Sequence, residues 1–146
     1  MTASPLSQRT HYRWFTPITT RWMDNDIYGH INNVVYYSYF DSIANKFLIE
    51  EGGLDIHNAS TVGFVVASSC QYLSPLAYPM ALEGGFRANK LGNSSVEYGL
   101  AIFEKGNPVA SAHGTFTHVF VEQASNKSTA IPPLIRSALE SLDSVS

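Results

Sequence analysis

Cysteine is almost missing from this chain: Cys70 stands alone among 146 residues. A single thiol excludes an intrachain disulfide framework and a thiolate metal cluster, and it suits a reducing compartment. Cys70 lies inside an apolar run and reads as a small core residue. Charge is sparse as well. Only 14% of residues are charged, the net charge is -3, and no basic tract occurs. Nucleic acid is therefore a poor partner, although scattered basic residues leave room for a small phosphate-bearing ligand. No apolar run approaches the roughly 20 residues needed to cross a bilayer. Residues 1–8 are polar, so neither a secretory leader nor membrane association is expected, and the reading is a soluble cytoplasmic protein. Ser68 and Ser69 lack a Gly-x-Ser-x-Gly frame, which argues against a serine hydrolase.

What is present is apolar and aromatic. Hydrophobic residues make up 45% of the chain, too much for disorder and enough for one core in a single domain over 1–146. Residues 33–50 carry the clearest periodic signal. Tyr36, Phe40, Ile43 and Phe47 recur at steps of four, three and four, with Tyr37, Ala44 and Leu48 widening the stripe. Ser38, Asp41, Ser42, Asn45 and Lys46 form the opposite face, so the spacing predicts a helix with one buried side. Asn32 or Asn33 supplies its N-cap and Gly52-Gly53 its stop. Such a helix is roughly 27 Å long, enough to cross a small sheet.

The rest reads mostly as strand. A first strand is expected over 15–22, with Pro17 placing it at an edge or bulge. Others are expected over 62–73, 80–90, 95–103 and 108–121, with Gly84-Gly85 marking a bulge or close approach. Residues 104–107 form a hairpin turn. Residues 1–10 and 123–130 read as irregular, and a short helix closes the chain over 131–143. Consecutive strands joined by tight turns imply antiparallel pairing, and one helix on one sheet is an α+β layer solution. One helix covers only one face of five strands, so self-association is an economical way to cover the remainder.

Between the first strand and the helix lies Arg21-Trp22-Met23-Asp24-Asn25-Asp26-Ile27-Tyr28-Gly29-His30-Ile31-Asn32-Asn33. A helix N-terminus presents free backbone amides and a partial positive charge of roughly half a unit, a natural site for a negative oxygen. Asp24 or Asp26 can face an electrophile held there, and Gly29 lets the backbone come close. A carboxylate opposite such donors is a minimal acyl-transfer site. The same residues also suit a plain loop, with both acids accepting backbone hydrogen bonds and both asparagines capping. As a calcium loop, Asp24-x-Asp26-x-x-Gly29 fails at Tyr28 and Val35, where oxygen ligands belong. Asp26 and His30 lack a third local ligand, so no metal is expected.

The run Asp24-x-Asp26-x-x-Gly29-His30-x-Asn32-Asn33-x-x-Tyr36 resembles the signature of hotdog-fold acyl-CoA thioesterases, in particular the 4-hydroxybenzoyl-CoA thioesterase-like group. Leu91-Gly92-x-Ser94-Ser95, Val109-Ala110-x-Ala112, Thr117-His118-Val119-Phe120-Val121 and Ile131-Pro132 are similar to later family segments. The resemblance implies a hotdog fold, a curved antiparallel five-stranded sheet wrapped around one long central helix. It implies a homodimer or homotetramer that hydrolyses an acyl-CoA thioester to a free acid and CoA. No separate cofactor is implied, because CoA belongs to the substrate.

By the same resemblance Asp26 is the catalytic carboxylate, as nucleophile or as general base, and the Asn33 amide is the oxyanion donor. Asp24 takes an architectural role. His30 either takes part in catalysis or positions the loop and a water. Tyr28, Gly29, Tyr36, Phe40 and Phe64 are acyl-pocket candidates, with plain core packing as the alternative for the aromatic ones. Arg87, Lys90 and Ser94 are candidates for the CoA phosphates. Two further readings use the same residues: a thioesterase acting on acyl-carrier protein, and a non-hydrolytic acyl-CoA-binding hotdog protein. A dehydratase is disfavoured by the missing hydratase signature.

Overall fold

The computed structural model describes residues 5–144. Short 3-10 turns at Pro5–Ser7 and Arg9–His11 lead into β1 (Trp14–Thr19), and a third turn, Trp22–Asp24, precedes α1 (Asn33–Glu50). Then follow β2 (Thr61–Tyr72), β3 (Ala81–Leu91), β4 (Ser95–Glu104), β5 (Ala112–Glu122) and α2 (Pro133–Ser144). The five strands form one antiparallel sheet in the order β1-β3-β4-β5-β2. This is the hotdog arrangement that the sequence implied.

The helix forms where its stripe predicts. Asn32 caps it by accepting the Val34 amide at 3.1 Å. Past its last turn, Gly53 adopts a φ of 69° while the Leu54 amide reaches back to the Leu48 carbonyl. Phe40, Ile43 and Phe47 are essentially fully buried. Each such side chain contributes about 1.5–3 kcal/mol over an exposed one. Phe47 stacks on Phe86 of β3 at 4.4 Å. The helix can lie this close because Gly84 has no side chain. A Cβ there would stand 2.4 Å from Ile43 Cδ1. His118 is also in the core, its Nδ1 3.1 Å from the Tyr98 hydroxyl. Burial pushes its pKa down to about 4, so it stays neutral there.

On the opposite sheet face, Tyr12 and Phe15 cover Ala101, Phe103 and Ala110. The N-terminal turns also explain a difference from the expected strand over 108–121. The Arg9 amide donates to the Pro108 carbonyl and the Ala110 amide to the Ser7 carbonyl, so β5 starts only at Ala112. Likewise β1 stops at Thr19 because the Arg21–Asp24 turn takes over the backbone that follows.

The two edges differ. β1 is short and contains Pro17, as edge strands tolerate. β2 is twelve residues long, has a register shift between Val65 and Ala67, and exposes Phe64, Val65 and Val66. The second helix buries Ile135, Leu139 and Leu142, and Arg136 donates to the Gly92 and Asn93 carbonyls of the β3–β4 turn. Among the described residues, no helix is long and apolar enough to cross a membrane.

Candidate active site

The loop from β1 to α1 is two tight turns in series. In the first, the Asp24 amide bonds the Arg21 carbonyl, and the Arg21 amide donates to Asp24 Oδ2 at 2.9 Å. Arg21 Nη2 reaches Oδ1 at 3.1 Å, and the Tyr39 hydroxyl of α1 donates to Oδ2 at 2.7 Å. Asp24 is 1% exposed. Burial alone pushes its carboxyl up, but the bonds from Tyr39 and Arg21 outweigh it and hold the pKa below the usual range. The Asp24 carbonyl then receives the Asn32 amide and so fixes the start of the helix.

In the second turn, the Asp26 amide bonds the His30 carbonyl and the Gly29 amide bonds the Asp26 carbonyl. Gly29 sits at a φ of 83°, where a side chain is disfavoured. Asp26 Oδ1 accepts the Tyr28 amide at 2.9 Å and, more weakly, the His30 amide at 3.4 Å. Its Oδ2 has no hydrogen-bond partner among the described residues. The same holds for the Asn33 amide at the first position of the helix, since capping by Asn32 serves Val34 and Val35 instead.

Asp26 and Asn33 both line one cavity of ≈370 Å³, with His30, Ile31, Tyr36, Tyr72, Leu73, Ser74 and Pro75. The chain crossing behind it is pinned to the loop, because the Ile31 amide bonds the Leu76 carbonyl. The lining of this cavity thus includes a carboxylate residue and the first residue of an 18-residue helix, whose N-terminal end carries partial positive charge. His30 leaves its imidazole without a partner among the described residues. There, no three His, Cys, Asp or Glu side chains converge as a metal site requires.

The structure thus brings together Asp26, His30, Asn33 and Tyr36. The remaining candidates lie elsewhere. Tyr28 and Gly29 stand on the exposed outer side of the loop, Tyr28 at 80% exposure. Phe40 is in the core and Phe64 is half-exposed on β2. Arg87 lies on the far sheet face, where its Nη1 donates to the His11 carbonyl. Lys90 and Ser94 lie at the β3–β4 turn, the end of the sheet away from the loop. Tyr72, Leu73 and Pro75 were not singled out from the sequence. They enter because the end of β2 runs beside the start of α1, and only Ser74-Pro75, a strand breaker, hinted at a boundary there.

Another cavity, ≈340 Å³, lies between Gly52–Thr61 and the start of α2. Its acid, Asp55, is spent on the amides of His57 and Asn58 and on the Asn58 side chain. It offers no free carboxylate opposite a donor.

Solved structures share this fold. The chain is 53% identical to the PA5185 protein of Pseudomonas aeruginosa strain PAO1, with 93% of this chain and 95% of that one covered and a TM-score of 0.91. Slr0204, a 1,4-dihydroxy-2-naphthoyl-CoA thioesterase from Synechocystis, shares the fold at 14% identity, with 88% and 96% covered and a TM-score of 0.79. YsmA of Bacillus subtilis (strain 168) is 24% identical over 88 residues, 60% of this chain and 59% of that protein. The chain therefore spans about three-fifths of that curated relative. The profile of the thioesterase-like superfamily matches residues 20–139, a span that includes both turns of the loop, α1 and every strand of the sheet except β1. The chain belongs to the thioesterase-like superfamily.

Proposed function

We propose that the protein is an acyl-CoA thioesterase in which Asp26 is the catalytic carboxylate. One observation carries the reading: Asp26, with one carboxylate oxygen free of partners among the described residues, and Asn33, the first residue of the helix, line one cavity. Membership of a thioesterase-like superfamily and the CoA thioester named for Slr0204 support the substrate class.

With the thioester oxygen at the Asn33 amide, the carbonyl carbon faces Asp26. Attack by the carboxylate forms a mixed anhydride and expels the CoA thiolate. Water then cleaves the anhydride, giving the free acid and restoring Asp26. Alternatively, Asp26 takes a proton from water, which attacks the same carbon directly. In both routes negative charge collects on the carbonyl oxygen, where the amide and helix end stabilise it. His30, on the cavity wall, suits orienting that water. The test is thiol release from an acyl-CoA panel by wild type and Asp26→Asn. Equal turnover removes Asp26 from the reaction. Saturable binding without thiol release would instead mean a non-hydrolytic acyl-CoA binder, and faster turnover of the matching carrier-protein thioester would redirect the substrate.

The same reading includes a dimer formed through β2. A long, apolar, unpaired edge strand is a template for another strand. Antiparallel pairing of two β2 strands would set the Thr61 end of one beside the Tyr72 end of the other, at the mouth of the cavity. It would also turn the β3–β4 end of the second copy, with its Lys90 and Ser94, toward the first copy's loop. Light scattering should report a dimer, and Val66→Lys should shift it toward monomer. A wild-type monomer at assay concentration overturns this part.

A further inference from the structure

The cavity beside Asp26 has one wall with no assigned role. Tyr72, the last residue of β2, reaches across to α1, and its hydroxyl donates to the Asn33 carbonyl at 3.0 Å. Its ring meets Tyr36 edge-on, with centroids 5.0 Å apart and planes at 86°. Two rings at right angles, one tied to the helix end, make a stop rather than an open slot.

What lies behind the stop matters more. Tyr72, Cys70 and Ser68 pair with Ala112, Gly114 and Phe116, so all three share one face of β2. That face looks toward α1, because a Cβ on Gly114 would stand 2.8 Å from Phe40 Cε2. Beyond Tyr72 the β2 side of this face is therefore built of two short side chains. The cavity does not reach them. Its lining ends at Tyr72 and includes neither Cys70 nor Ser68. The other way in, under the middle of α1, is filled by Phe40, Ile43 and Phe47.

We infer that Tyr72 is the specificity-determining residue that sets the upper size of the acyl group, by blocking a lane along β2 that Cys70 and Ser68 leave open. This inference rests on the thioesterase reading and names what limits its substrate. The ring does the blocking. The hydroxyl holds the ring in place and marks no chemical step.

The experiment compares kcat/KM for hexanoyl-CoA and dodecanoyl-CoA in four proteins: wild type, Tyr72→Phe, Tyr72→Ala, and Tyr72→Ala combined with Cys70→Phe. Tyr72→Ala should raise the dodecanoyl-to-hexanoyl ratio by about tenfold or more, the scale of a few methylenes admitted to an apolar site. Tyr72→Phe should stay within about threefold of wild type, since the ring remains. Adding Cys70→Phe should close the lane again and return the ratio toward wild type. If Tyr72→Ala melts below assay temperature, Tyr72→Val takes its place.

Active wild type with an unchanged ratio in the small-residue variant overturns the role of Tyr72 and leaves the thioesterase reading intact. A raised ratio that Cys70→Phe does not reverse overturns the β2 lane. Wild type that releases no thiol from either substrate overturns the thioesterase reading. The size limit is then read from binding of hexyl-CoA and dodecyl-CoA thioethers to wild type and Tyr72→Ala, where an unchanged affinity ratio, or no binding of either, overturns it too.

Discussion

The two turns ahead of α1 each hold an aspartate, two residues apart, and treat it in opposite ways. In the first turn Asp24 is buried, receives Tyr39, the Arg21 amide and the Arg21 guanidinium, and has its carbonyl on the Asn32 amide. In the second turn Asp26 is held on one oxygen by two amides of its own turn, while the other has no partner among the described residues and the residue lines a cavity. The first carboxylate is consumed in fixing where the helix begins. The second is carried on that fixed frame with its chemistry unspent. A residue of the same type becomes scaffold or reagent according to how many donors its neighbours bring.

The widest separation should come from exchanging each acid for its amide. Asp26→Asn removes the nucleophile or base while keeping its size and its Oδ1 contacts. Thiol release should fall by about a thousandfold, within the range of losses seen when a base or nucleophile is removed. Thermal stability should stay within about 0.5 kcal/mol, because only exposed turn contacts change. A variant that keeps activity, or one that loses the fold, breaks the contrast. The comparison must be run at matched protein concentration, since any dimer couples stability to concentration.

Asp24→Asn should do the reverse. It leaves the buried Tyr39 hydroxyl and the Arg21 amide sharing a weaker acceptor, and stability should drop by about 2–4 kcal/mol. The sign with pH follows from the depressed carboxyl. Its folded pKa lies below the ordinary carboxylate value that it has in the unfolded chain, so its stabilisation is fully present above that ordinary value. It is lost as pH falls through the lower, folded pKa. Melting temperatures of wild type and Asp24→Asn should therefore differ most at neutral pH and converge in acid. A gap that stays constant as the pH is lowered through the whole acid range would assign the loss to packing alone.

Much of this frame is readable in the chain. The stripe from Tyr36 to Leu48 specifies a buried helix, and Pro17 correctly places β1 at an edge. Gly84 marks the close approach of α1 to β3. The division of labour between Asp24 and Asp26 is not readable from those residues by themselves. It depends on Tyr39, which lies outside the residues counted into the stripe and is buried for the sake of its hydroxyl. Tyr72 is invisible for a different reason. Its place beside Asn33 depends on β2 sitting last in the sheet order, a long-range pairing with β5 that local patterns do not encode. Arg87 reads as a free strand cation but is drawn to the His11 carbonyl by the N-terminal turn.

The smallest test concerns the geometry of the second turn alone. Gly29 has a φ of 83°, yet nothing lies within 4 Å of where its Cβ would be. Gly29→Ala therefore adds backbone strain without a clash, and the cost should be about 1–2 kcal/mol. Were the turn only a connector, that strain would appear in the melting temperature and leave kcat alone. If the turn aims Asp26, relief of strain should also loosen the Tyr28 and Gly29 amides around it and lower kcat more than it changes KM. Asp24→Asn, which disturbs the first turn, should share the stability loss but move kcat less per kcal/mol. A Gly29→Ala protein with lowered stability and wild-type kcat would show that the carboxylate is positioned by the helix start rather than by its own turn.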